Sequence, residues 1–505
     1  MYRRTTFFFL LKIIKFPLSI IYLSLIVKNF GVGLDMDAWL VSLSVTTIIG
    51  LAVWGSMNEV FRSRFIILKE NTGAEKALQY SQSLIYYVIF FSFVLVILIE
   101  IFPSFVVSAM APDFKPKDQE FLVGILRLVA PWLIFNQLSL ILTSILNAYE
   151  VFYVPEFASF FTQVVNIIII YFLAGKFGIN CLVISLYVSV ILLSSLLLYR
   201  IKKLKLRLFS PKVPSFKGFK FFFIASIPFF IPYFMGQANG WAEKSLATGL
   251  GIGSVSILDL SKKLPDVFNG ILISVTLTIL TPILTKAFAN NEKKIYETEF
   301  TKSYQLSLFS LTVFIVFFIN ASNPLLHLLY GRGPISEKDM LEVIRLSKFY
   351  SITVFSIFSY IIFGVCMLSI NMGKLYALYG ASAQVMSLLT NYFFIKFWGL
   401  YVFPVSCCIS HLTFAFFMFL KYPFGKKKIL LVTIQYYILV FLSVVLGIFL
   451  FKLFSFEGQN VFLMHVINII ISFVISIVLT SFLGKVFKIP EVSILYNYAV
   501  NKIFG

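Results

Sequence analysis

Long apolar runs separated by short polar ones fill most of the chain. The run IYYVIFFSFVLVILI from Ile85 is unbroken, whereas a barrel strand alternates apolar and polar positions, so these runs read as helices. A hydrocarbon core of about 30 Å takes about 20 such residues per crossing. On that measure the pattern predicts fourteen helices, at 7–29, 37–61, 82–104, 121–148, 154–174, 179–200, 218–247, 254–287, 301–325, 340–370, 374–396, 401–420, 428–452 and 461–484. The expected fold is an all-α integral membrane protein, with no soluble domain between the spans. The first run leads into further spans with no small-residue cleavage site, so a retained helix is expected there and not a removed leader.

Composition agrees with that pattern. Hydrophobic residues make up 59% of the chain and charged residues 13%, with a mean hydropathy of +0.94, against about 25% charged residues in soluble domains. A net charge of +20 would suit nucleic acid, but the basic residues lie between spans, where they set orientation under the positive-inside rule. Alternate segments hold Arg3, Arg4, Lys12 and Lys15; Arg62, Arg64, Lys69 and Lys76; the basic residues from Arg200 to Lys220; Lys286, Lys293, Lys294 and Lys302; Lys374; Lys421, Lys426, Lys427 and Lys428; and Lys485, Lys488 and Lys502. The opposite segments hold only Lys28, Lys115, Lys117, Lys176, Arg332, Lys338, Lys396 and Lys452. Both termini are therefore expected on the cytoplasmic side of the cytoplasmic membrane, and nucleic acid is not an expected partner.

The chain also matches itself at a spacing of roughly 220 residues, a hallmark of transporters. ILRLVAPW from Ile125 pairs with VIRLSKFY from Val343, and YFLAGKFGI from Tyr171 pairs with YFFIKFWGL from Tyr392. This places a six-helix lobe at 1–200, a basic cytoplasmic linker at 201–217, a second six-helix lobe at 218–420, and two extra helices with a tail at 421–505.

Charge inside the spans carries the candidate chemistry. In DLSKKLPD, Asp259, Lys262, Lys263 and Asp266 follow i, i+3, i+4 and i+7, so one stripe of the eighth helix holds all four, extended by Asn269 and Gly270. Asp259 with Lys263, and Lys262 with Asp266, are each i, i+4 pairs, and Pro265 weakens the helix among them. Such charges can neutralise one another while lysine stems reach for headgroups. At about 2.5 to 3.5 kcal/mol for each central charge, a water-filled cavity between lobes accounts for four on one face better. The seventh helix adds Gln237, Asn239, Glu243 and Lys244. A lysine is a hydrated point charge suited to phosphate, and Trp39 and Trp241 have rings able to stack on sugars, although packing is the commoner use of such rings.

No constellation supports catalysis. Cys181, Cys366, Cys407 and Cys408 lie in apolar runs without Cys or His partners at ligand spacing, so neither a disulfide framework nor a metal site is expected. His327, His411 and His465 are expected to stand far apart with no nucleophile nearby, and no phosphate-binding GxxxxGK[ST] loop is present. The chain reads as a transporter, not an enzyme, with no cofactor beyond coupling to the membrane potential or an ion.

GVGLDMDAW from Gly31, MAPDF from Met110 and GIGSVSILDLSKKLPD from Gly251 are stretches that resemble the MviN/MurJ lipid II flippase family. GVGLDMDAW from Gly31 is similar to the segment opening that family's second helix. MAPDF with LRLVAPWLIFNQLSLILTSILNAYEVFYVPEFASF resembles its fourth helix and the start of its fifth, and GIGSVSILDLSKKLPDVFNGILISVTLTILTPILTKAF its eighth-helix signature. The resemblance implies two six-helix lobes, two C-terminal helices forming a lipid-facing groove, and alternating access for an undecaprenyl-pyrophosphate-linked sugar. It sets Lys263 on a cavity arginine, Asp266 on a glutamate and Asp37 on an aspartate. Gly50 and Leu51 stand where the family has an arginine pair, and first-helix arginines are absent, which leaves a weaker cationic cavity.

The leading expectation is a flippase for lipid II or a related polyprenyl-pyrophosphate-linked saccharide. Lys262, Lys263, Asp37, Asp266, Asp259, Glu243, Lys244 and Asn239 are its candidate substrate-binding residues, and membrane lipids and envelope-synthesis proteins its surroundings. A translocase for O-antigen or exopolysaccharide repeat units, a multidrug or cation antiporter of the same superfamily, and a membrane scaffold are the alternatives. Cation carriers favour acidic cavities, which counts against the antiporter. The charge asymmetry predicts that alkaline phosphatase fused after Lys117 is active and after Lys205 inactive; the opposite pattern would invert the topology.

Overall fold

The computed structural model describes residues 2–206, 208, 214–487 and 489, with the side chains of 2–14, 16, 59, 275 and 278 left aside. Residues 207 and 209–213 of the expected linker, and 488 and 490–505 of the expected tail, lie outside the described residues. Each predicted span is helical. In chain order the helices are α1 (Tyr2–Phe30), α2 (Leu34–Thr72), α3 (Ala74–Ile101), α4 (Pro103–Met110), α5 (Pro116–Val129), α6 (Trp132–Ala148), α7 (Tyr153–Phe177), α8 (Asn180–Lys203), α9 (Phe216–Thr248), α10 (Ser254–Ala289), α11 (Lys293–Tyr330), α12 (Glu337–Ser369), α13 (Gly373–Trp398), α14 (Val402–Phe419), α15 (Lys426–Phe454) and α16 (Val461–Val486). Among the described residues there is no strand.

Among the described residues, twelve helical stretches are long and apolar enough to cross a membrane. One of them, Gly373–Phe419, is divided into α13 and α14 by a 3-10 turn at Gly399–Tyr401, and α1 adds a further apolar helix. The expected count of about fourteen is reached that way. The fourth span is broken between α5 and α6 at Pro131, whose ring and missing N–H interrupt the helical ladder. Its repeat partner α12 has no proline and runs unbroken for 33 residues.

The second pair of matched stretches ends in the same local geometry. Gly178 closes α7 at φ 52°, ψ −140°, and Gly399 closes α13 at φ 52°, ψ −138°. Side chains other than glycine's rarely take that conformation, so the sequence match coincides with a backbone requirement.

By packing, the chain forms two compact units, Met1–Ser256 with Arg332–Ile335, and Ile257–Gly331 with Ser336–Gly505. The core of the first is built from Trp54, Phe61, Phe65, Leu142 and Phe222, contributed by α2, α6 and α9. The core of the second centres on Tyr296, Phe300, Tyr304, Phe358 and Tyr422, from α11, α12 and the turn after α14. In the second unit α16 packs beside α11. It buries Asn468, Ser472, Ser476, Thr480 and Gly484 at every fourth position, and exposes Ile470, Phe473, Val478 and Phe482. Small residues inside and large ones outside is the membrane pattern, since lipid is as apolar as leucine and close backbone approach holds helices together.

Within the first unit the segment 332–335 lies against the end of α1. A Cβ on Gly333 would overlap the carbonyl oxygen of Val27, and one on Gly31, at φ +56°, would overlap that of Pro334. Overpacking of this kind costs about 1 to 3 kcal/mol. Gly333→Ala is expected to lower the unfolding midpoint of the detergent-purified protein, whereas Gly175→Ala, where a Cβ meets nothing within 4 Å, is expected to leave it unchanged.

Candidate functional site

The charged stripe sits in the first third of α10. This helix has 36 residues, on the order of 54 Å, so it exceeds the hydrocarbon thickness considerably. Residues 267–285 contain no charge and by themselves span about 28 Å. The four charges therefore precede the uncharged, membrane-length part of the helix. Asp259 and Lys262 are half-buried, while Lys263 and Asp266 are exposed. Lys263 Nζ lies 3.7 Å from Asp259 Oδ2, one of the two expected i, i+4 pairs. At that separation and exposure the pair contributes less than about 1 kcal/mol, so the lysine is readily drawn to another anion. Lys262 and Asp266 also have partners of their own. Asn269 is buried, and α10 is held to α12 by a hydrogen bond from Ser261 Oγ to the carbonyl of Val343 at 3.2 Å.

Asp37 occupies a different setting. It lies in the first turn of α2 and is fully buried. Its carboxylate accepts from the backbone N–H of Gly253 at 2.6 Å, from that of Ser256 at 2.8 Å, and from the Ser256 hydroxyl. The first N–H groups of a helix have no partner within it and carry the positive end of the helix dipole. Asp37 thus caps α10 from α2. Lys244, buried near the end of α9, is close enough for its charge to act on the same carboxylate. Asn239 and Glu243 on α9 are half-buried.

The aromatic candidates are used for packing. Trp39 is buried, and Trp241 donates its indole N–H to the carbonyl of Ala109 at 3.3 Å. Ser245 and Thr248 donate to the carbonyls of Ala109 and Met110, fastening the end of α9 to α4.

Three arrangements were not foreseen from sequence. Lys15, counted with the cytoplasmic residues, lies midway along α1, half-buried, and donates to Ser159 Oγ of α7 at 2.6 Å. The signal for it is the spacing of Lys12 and Lys15 within one uninterrupted helix. Secondly, His327 and His465 do not stand apart: α11 and α16 bring their rings to 5.7 Å between centroids, inclined by 4°. Thirdly, Cys407 does have a histidine partner, its Sγ lying 3.5 Å from His411 Nδ1 one turn on. Among the described residues no group of three or more His, Cys, Asp or Glu is placed to hold a metal ion. The space beside Gly50 is also taken. A Cβ there would lie 2.8 Å from Gln137 Nε2, so an arginine at this position would displace the buried Gln137.

A family model described as lipid II flippase MurJ matches residues 26–471. Among curated proteins, a "Probable lipid II flippase MurJ" of Buchnera aphidicola subsp. Acyrthosiphon pisum is 24% identical over 340 residues, 65% of this chain and 65% of its own length. One of Thermotoga maritima is 22% identical over 334 residues, 65% of this chain and 66% of its length. The match thus spans just under two thirds of these relatives. Among solved structures, "Lipid II flippase MurJ, inward closed conformation" has a TM-score of 0.77 at 19% identity, covering 95% of this chain and 98% of that one. An inward-facing multidrug resistance MATE family transporter of the MOP superfamily has a TM-score of 0.64 at 14% identity, covering 82% and 95%. At these identities the structural likeness shows the fold.

The Asp37 cap has a measurable consequence. Asp37→Ala leaves two buried N–H groups without their acceptor, each costing about 1 to 3 kcal/mol. A clear drop in unfolding midpoint is expected, with Asp37→Asn intermediate because its amide keeps one acceptor oxygen. An unchanged midpoint in both variants would mean that the cap contributes nothing to stability.

Proposed function

Because the chain belongs to the MurJ lipid II flippase family, matched across residues 26–471, we propose that it moves lipid II or a closely related polyprenyl-pyrophosphate-linked saccharide across the cytoplasmic membrane. The observation that carries this reading on the molecule itself is the stripe on α10. Lys262 and Lys263 engage the pyrophosphate as point charges, and the weak hold of Asp259 on Lys263 lets that lysine change partners. Asp266 and Asp259 keep the stripe near neutrality when no substrate is bound. Asp37, together with Lys244, positions the start of α10 and with it the stripe, while Asn239 and Glu243 contribute polar surface to the sugar.

Transport follows the division of the substrate. Its tail has tens of carbons at about 0.8 kcal/mol per CH2 removed from hydrocarbon, so it stays in lipid while the charged head crosses by alternating access between the lobes 1–200 and 218–420. The outward faces of α15 and α16, with Phe441, Phe449, Phe473 and Phe482 exposed, give the tail an apolar surface to follow. The head group is anionic, so the membrane potential or a coupled ion biases its movement. Both termini are cytoplasmic in this reading, and envelope-synthesis proteins are the natural partners. The two lysines count against a cation carrier, which needs acidic residues at its binding site.

In proteoliposomes carrying lipid II, Lys262→Ala combined with Lys263→Ala is expected to slow translocation by roughly tenfold or more, with gel-filtration profile and unfolding midpoint unchanged. Translocation at the wild-type rate in this double variant would remove the pair from the mechanism.

A further inference from the structure

α3 carries a surface that the transport reading does not use. Gln82, Ile85, Ile89 and Phe93 recur at steps of three and four, so they share one face of the helix. With Ile134 of α6 and Pro214 they line an apolar crevice of about 420 Å3. From Gln82 to Phe93 the helix rises on the order of 16 Å, about half the hydrocarbon thickness. The crevice is therefore one leaflet long.

Its mouth is built. The backbone N–H of Ser215 donates to Ser83 Oγ at 3.0 Å, and Gly218 packs so closely on Ser83 that a Cβ would lie 2.9 Å away. Tyr87 meets Phe216 edge-on at 5.5 Å. These contacts fix the start of α9 against the Gln82 end of α3, which puts Pro214 on the crevice wall. This is also the most basic part of the chain: from Arg200 to Lys220 there are eight basic residues and no acidic one. Lys217 and Lys220 on the first turns of α9 are exposed. The positive-inside reading sets this end at the cytoplasmic surface, where anionic headgroups lie.

We propose that this crevice binds an anionic phospholipid of the inner leaflet, with one acyl chain along α3 and the phosphate at Lys217 and Lys220. The length of the apolar track selects a chain of leaflet depth, and the cations at its mouth select the charge. A zwitterionic lipid fills the same track but brings its own cation to a positive surface. The site is independent of the substrate and of the charged stripe on α10.

The test uses the full chain, delipidated in detergent, with dioleoylphosphatidylglycerol and dioleoylphosphatidylcholine as probes and bound lipid read by native mass spectrometry. Phosphatidylglycerol is expected to bind roughly tenfold tighter or more. Lys217→Glu with Lys220→Glu, both on the surface, is expected to abolish that preference. Ile89→Trp fills the track and is expected to weaken both lipids; Ile134→Trp fills it from the opposite wall and serves if the first variant has a lowered lipid-free unfolding midpoint. Equal binding of the two lipids, or a preference that survives the lysine reversal, overturns the proposal. Displacement of phosphatidylglycerol by equimolar undecaprenyl phosphate, lost in Ile89→Trp, would overturn it in favour of the substrate's tail.

Discussion

Within a bilayer a backbone N–H or C=O that lacks an internal partner has no water to turn to, and this constraint shapes the rest of the molecule. It makes every crossing a helix, and it makes each helix end a place where something must be supplied. At the starts of α9, α12 and α16 the supply is local: Ser215, Ser336 and Asn460 accept from the N–H groups of Gly218, Asp339 and Leu463. α10 begins after Gly251 and Gly253, which offer no side chain, and its first N–H groups turn to Asp37 of α2. The helix that carries the charged stripe is thus seated by a carboxylate from elsewhere in the chain. Stability and chemistry meet in its first turn.

The spans were legible in sequence because lipid demands unbroken apolar runs, and a run of such length has few other readings. Where the fold departs from uniform rods, the residues give the reason. Pro131 splits one span, and Gly399 with the turn behind it separates two. The eight-residue α4 was not anticipated, since a helix so short leaves little periodicity to read. The matched glycines at 178 and 399 were visible as letters, but their shared conformation was not.

The stripe on α10 was readable because i, i+3, i+4, i+7 spacing is a property of one helix. What lay beyond reach was everything that depends on a neighbour. Asp37 and Gly253 are 216 residues apart, and no pattern around either names the other. Lys15 looked like an orientation signal until α7 placed Ser159 beside it. His327 and His465 met only because α11 and α16 run together. Periodicity tells which way a side chain leaves its helix, and packing decides what it finds there.

The seam of α16 has a consequence for how such chains change over generations. Its inward positions, Ser472, Ser476, Thr480 and Gly484, are buried among protein atoms, while the outward Ile470, Val478 and Phe482 face a solvent indifferent to shape. Outward residues can exchange among apolar types with little effect on packing, and they form a large share of each peripheral helix. Drift therefore erases the identity of the letters much faster than it alters the contacts between helices. Descent in this fold is recorded in narrow inward tracks of small residues and in a few seated charges, and a reader comparing distant members learns more from those tracks than from the rest of the chain.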